Sequence, residues 1–316
     1  MIDVRLMLYK VMLFAALAVP GLMFGKFKKI DDNAIDAVTN ILVYIAMPFL
    51  VLSKLYEVNP DELHIENMLC CLVLPIVLSL ILWVTASVIF PKKENETKYL
   101  ASRFCSVFSN CGFLGIPLAN AVFQDEPIIV VYISLFNVSS TICLLTLGMY
   151  ILSGKKADIG IKKVIFKPVT IAAVIGLVSV FSGLNTKFAV IGEYSSILAQ
   201  LTTPLSMLVL GYELSKIRFR KIFITGSVYL VSFVKLVAAP AFTVAMLGVF
   251  GFRADSKFII SMFLASAVST AASAPSLAKS RGVDSEFTAI LTLGTTILSI
   301  ITLPLLSALL EVILIY

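Results

Sequence analysis

Two amide side chains bracket a run of helix-breaking residues in SNCGFLGIPLANAVF, residues 109–123. Asn110 and Asn120 can each donate and accept hydrogen bonds, which suits a carboxylate or a carbonyl-lined site. Between them lie Gly112, Gly115, Ile116 and Pro117. Glycine permits unusual backbone angles, and proline lacks an N–H and clashes with the preceding turn. A second such place is STAASAPS, residues 269–276, where Ser269, Thr270, Ser273 and Ser276 surround Ala274 and Pro275. Asn137 adds another amide inside an apolar run. Lys235 stands alone in a different apolar run, with no acidic residue at its depth. Its two natural partners are a carboxylate ligand and the carbonyl end of a broken helix. Each of these residues also has a plainer role. Amides and hydroxyls tie membrane helices together at ~0.6 kcal/mol per bond, and a buried lysine can make a purely structural polar contact.

Other chemistry lacks raw material. His64, in a short polar loop, is the only histidine, so Ser-His-Asp and multi-histidine metal chemistry have almost no raw material. Cys70, Cys71, Cys105, Cys111 and Cys143 lie in or beside apolar runs without metal-ligand spacing, and read as small buried residues. No phosphate-cradling GxxxxGK[ST] loop is present. Neither an enzyme nor a cofactor is expected.

The elements that position these residues are membrane helices. Of 316 residues, 59% are hydrophobic and 14% charged, against about a quarter charged in a soluble domain. Apolar runs of bilayer-crossing length recur throughout. Ten spans are placed at 6–25, 34–53, 67–90, 103–123, 127–152, 164–183, 190–212, 222–250, 257–279 and 286–312. The run after Arg5 and Lys10 is read as the first span, not as a cleaved signal peptide, because cleavage would invert the charge pattern.

Charge alternates between the connections. Those after odd-numbered spans hold Lys26, Lys28, Lys29; Lys92, Lys93, Lys98, Arg103; Lys155, Lys156, Lys162, Lys163, Lys167; Lys216, Arg218, Arg220, Lys221; and Lys279, Arg281, which is 18 basic residues. The other face has six: Arg5, Lys10, Lys54, Lys187, Arg253 and Lys257. The positive-inside rule then puts both termini outside the cytoplasm, in the cell membrane. The net charge of +6 reflects these loops and does not point to nucleic acid.

Prolines reveal a repeat. Pro48 and Pro204, Pro75 and Pro240, and Pro117 and Pro275 are separated by 156, 165 and 158 residues. They match spans two to four with seven to nine, giving halves 1–153 and 164–316 in a 5+5 inverted repeat. Secondary transporters are commonly built this way. Interrupted backbone in lipid is tolerated where it lines a cavity or packs on protein. Breaks at Gly112–Pro117 and Ser273–Pro275 would turn helix ends toward the bilayer centre and form a binding site where spans four and nine cross.

NCGFLGIPL, residues 110–118, resembles the first crossover of the auxin efflux carrier family, and VKLVAAP, residues 234–240, is similar to that family's basic residue five positions before a proline. The resemblance covers nearly the whole chain. It implies an all-α fold like sodium/proton antiporters and bile-acid symporters, with scaffold spans one, two, six and seven. Spans three, four, five, eight, nine and ten would then form a moving, elevator-type transport domain. It also implies exchange of small organic anions, auxin-like or mono- and dicarboxylate, and a homodimer through the scaffold is a further expectation. Two departures stand out. The 154–163 connection is far shorter than the long cytoplasmic loop of plant carriers, and Val268 replaces the second crossover's asparagine. A channel or membrane-embedded sensor is the alternative reading.

Overall fold

The computed structural model describes residues 4–91, 96–153, 166–249 and 255–315. Lys92, Lys93, the 154–163 connection with its four lysines, and Arg253 lie outside them. The helices used below are, in chain order, α1 (Val4–Lys26), α2 (Asp32–Glu57), α3 (Ile65–Ile89), α4 (Glu96–Val107), α5 (Cys111–Val122) and α6 (Pro127–Ser153). Then follow α7 (Pro168–Phe181), α8 (Ala189–Ser215), α9 (Gly226–Val249), α10 (Ser256–Ala267), α11 (Ala274–Ser280) and α12 (Ser285–Ile315). Among the described residues, seven of these are long and apolar enough to cross a membrane: α1, α2, α3, α6, α8, α9 and α12. Helices α5, α7 and α10 are apolar but shorter. This is a multi-pass, all-helical membrane protein.

Proline chemistry shapes the helices. Three of them widen by one residue just before a proline: Met47 N–H bonds Leu42 C=O, Ile116 bonds Cys111, and Ala239 bonds Val234. Pro48, Pro117 and Pro240 follow immediately. A proline clashes with the carbonyl four residues back and cannot bond it, and an i→i+5 turn relieves that clash without breaking the helix. Pro204 and Pro275 instead lie in the first turn of restarted helices, at Thr202 and Ala274, where a missing N–H costs little.

Packing is organised around α6, of which 67% of the most apolar stretch is buried, against 28% for α1. It packs on α3 and α10, and α10 continues to α9. Separately, α1 packs along α8, and α2 on α7 and α8. The α1–α8 contact is close enough to require glycine. A Cβ on Gly211 would stand 1.9 Å from the Ala18 carbonyl oxygen, and one on Gly21 would stand 2.1 Å from that of Leu208. Small residues that let backbones approach supply packing where lipid provides no hydrophobic drive between helices.

Candidate functional site

The two sequence interruptions meet. Helix α4 ends at Val107 and α5 begins at Cys111, so the chain unwinds at residues 108–110, just before the glycine and proline residues expected to break it. Gly112–Pro117 is helical: it starts with the widened turn, Gly115 has φ −65°, and neither glycine adopts positive φ. The second interruption runs over residues 268–273, between α10 and α11. The two extended segments lie antiparallel, with Ser109 paired to Thr270. Asn110 N–H donates to Ser269 C=O at 2.7 Å, and Ala271 N–H donates to Phe108 C=O at 3.0 Å. Each segment therefore satisfies backbone groups that the other has freed, which is the condition for irregular chain away from water.

The helix ends beside this pairing are capped by side chains from other elements. Thr270 Oγ1 donates to Cys105 C=O in the last turn of α4 at 2.7 Å. Lys235 Nζ donates to Ser266 C=O in the last turn of α10 at 2.7 Å, and to Ser109 Oγ at 2.7 Å. Lys235 is fully buried in the widened turn of α9. Its ammonium thus meets the partially negative end of a helix, the favourable side of the helix dipole. Thr270 N–H is taken by Thr295 Oγ1 of α12 at 3.1 Å.

Above the pairing lies a cavity of about 190 Å³, several times the ~30 Å³ that one water occupies in the liquid. Asn110, Gly112, Asn137 and Ser273 line it, together with Thr141 and Lys167. Asn110 is 4% exposed, its hydrogen bonds among the described residues are made by its backbone, and its side chain lines the cavity. Asn137 lies over Gly112, whose missing Cβ would stand 3.5 Å from Oδ1, an ordinary contact. Glycine here keeps the amide open to the cavity without being demanded by sterics. A smaller adjoining cavity of about 30 Å³ is lined by Asn110, Ala272 and Pro275, with Glu213 of α8 and Thr292 and Thr296 of α12.

The other expected site residues lie elsewhere. Gly115, Ile116, Pro117 and Ala274 are packed in the protein interior and line neither cavity. Asn120 is half-buried further along α5 and lines neither. Ser269 and Thr270 are buried within the paired segment, and Ser269 Oγ has no partner among the described residues. Ser276 is exposed on α11. Sequence reasoning passed over Ser109, although it adjoins Asn110, because a single serine carries no signal. It counted Lys167 only as a loop charge.

The site therefore joins two broken helices, a capping ammonium and a cavity lined by amides. A family model described as membrane transport protein matches residues 7–307. The chain belongs to the membrane transport protein family. This membership bears out the resemblance to the auxin efflux carriers. The chain is 31% identical over 212 residues to an uncharacterized transporter of Methanocaldococcus jannaschii, covering 61% of this chain and 65% of that relative, so this match spans just under two thirds of the relative's length. It is 23% identical over 287 residues to an uncharacterized transporter of Methanothermobacter thermautotrophicus, covering 89% of this chain and 91% of that relative. As a member of this family, the chain is a membrane transport protein.

Proposed function

We propose that this protein is a secondary transporter of a small organic anion, and that the anion binds in the 190 Å³ cavity beside the paired interruptions. The observation that carries this reading is the buried amide of Asn110, lining the cavity at the joint of two broken helices. In this reading the helices form ten membrane crossings in a 5+5 inverted repeat, with α4–α5 as the fourth and α10–α11 as the ninth. The packing supports a division into a scaffold of α1, α2, α7 and α8 and a transport unit of the remaining helices, since each set packs extensively within itself. Elevator-type movement of the second set past the first gives the cavity access to either side in turn. The charge alternation of the connections supports the cell membrane, with both termini outside the cytoplasm. A homodimer through the scaffold is part of the same reading.

The test is exchange of labelled small carboxylates across proteoliposomes. The expected outcome is saturable exchange that Asn110→Ala impairs at near-normal folded yield. Ohmic conductance would identify a channel instead, and unchanged transport in Asn110→Ala would remove the amide from the site.

A further inference from the structure

The wall of the 190 Å³ cavity holds one charged side chain among the described residues, and it is Lys167 rather than Lys235. Lys235 has no exposed surface, and its ammonium is bonded to Ser109 and Ser266. Lys167 is half-buried, and the ion pairs of the described residues use Lys54, Lys216, Lys221 and Lys257 instead. It immediately precedes α7, so the positive end of that helix's dipole opens on the same cavity: Pro168 and Val169 also line it. Helix α7 has 14 residues. At ~1.5 Å each it reaches ~21 Å, short of the ~30 Å hydrocarbon thickness. The other polar groups of the lining are neutral, among them the Asn110 and Asn137 amides and the hydroxyls of Ser109, Thr141 and Ser273. Val43, Met47 and Phe113 add apolar surface.

We propose that Lys167 and the first turn of α7 form the carboxylate subsite of this cavity. The ligand is then a monocarboxylate whose neutral hydroxyl or N–H end lies against Asn110 and Asn137. This rests on the transporter reading above and narrows its substrate class. A partly dehydrated ammonium gains from an anion that replaces its water, and charge-assisted hydrogen bonds are the strong ones. A dicarboxylate would leave its second charge facing neutral amides and hydroxyls, with the Lys235 ammonium buried and already bonded to Ser109 and Ser266.

The test is equilibrium binding to the full chain in lipid nanodiscs. The probes are lactate, β-hydroxybutyrate, phenylacetate and succinate, with the neutral amide of the tightest binder. A monocarboxylate is expected to bind most tightly. Lys167→Gln should weaken that acid about tenfold or more, the loss of one charged hydrogen bond, while leaving the amide unchanged. Lys167→Arg should restore the acid. Three results overturn the proposal alone: wild-type affinity for the acid in Lys167→Gln, equal loss for acid and amide, or succinate binding most tightly. Failure of every carboxylate to bind wild type would overturn the transporter reading with it.

Discussion

A single ammonium does for α10 what a threonine hydroxyl does for α4. Both cap last-turn carbonyls of a helix that stops inside the protein; Thr270 reaches α4 from the opposite half of the chain, and Lys235 reaches α10 from within the same half. The lysine also fixes Ser109, so it pins the first interruption to the end of α10. Lys235→Met would leave the buried Ser266 carbonyl without its partner, at about 1–3 kcal/mol, and free the half-buried Ser109 hydroxyl to the cavity. Thermal unfolding in nanodiscs should register that loss, and transport should disappear with it. Ser109→Ala removes only one acceptor and should cost about 1 kcal/mol, with transport retained in part. Wild-type stability and transport in Lys235→Met would show that the ammonium holds nothing together. That Lys235 needed a partner was evident from its isolation in an apolar run. Which partner it takes was not, because Ser109 and Ser266 come from distant parts of the chain and carry no charge.

Two glycines illustrate how elements are held by close approach in one place and by an open face in another. Gly211 lets α8 lie against the α1 backbone, where even an alanine methyl would meet the Ala18 carbonyl. Gly112 on α5 has room for a methyl, which would sit in ordinary contact with Asn137, and both residues line the cavity. Gly211→Ala should therefore destabilise the protein by about 1–3 kcal/mol, the cost of overpacking, with ligand affinity unchanged. Gly112→Ala should leave stability level or slightly higher, since alanine favours helix by up to ~1 kcal/mol, yet weaken ligand binding. Unfolding and binding curves for both variants check the contrast, and a stable Gly211→Ala protein would argue that α1 and α8 are not packed this way. The apolar runs placed most helices to within a few residues, because length and hydropathy are local properties. The interruption was misplaced by a turn for a physical reason: Pro117 widens its helix without breaking it. What stops α4 is the pairing of residues 108–110 with 269–271, a long-range contact.

At the scale of the whole molecule, charge and hydropathy carry different information. Hydropathy says how many segments can sit in lipid, and the basic connections say which way round they sit. Eighteen basic residues against six is a large bias for connections this short, and positively charged segments resist translocation. In the proposed ten-crossing reading, an odd number of crossings per half would bring the second half in from the opposite side, consistent with the antiparallel run of residues 108–110 and 269–271. Orientation is therefore testable without any ligand. Four of the native cysteines, Cys71, Cys105, Cys111 and Cys143, are buried, and Cys70 is half-buried, so background labelling by a membrane-impermeant thiol reagent is expected to be low. New cysteines in place of Asn59 and Asp125, in connections of the weakly basic face, should label in intact cells. Those in place of Arg218 and Ser280 should label only after permeabilisation. Labelling of Arg218→Cys in intact cells would reverse the orientation, and labelling of Asn59→Cys and Arg218→Cys from the same side would break the inverted repeat, leaving the paired interruptions without the symmetry that explains them.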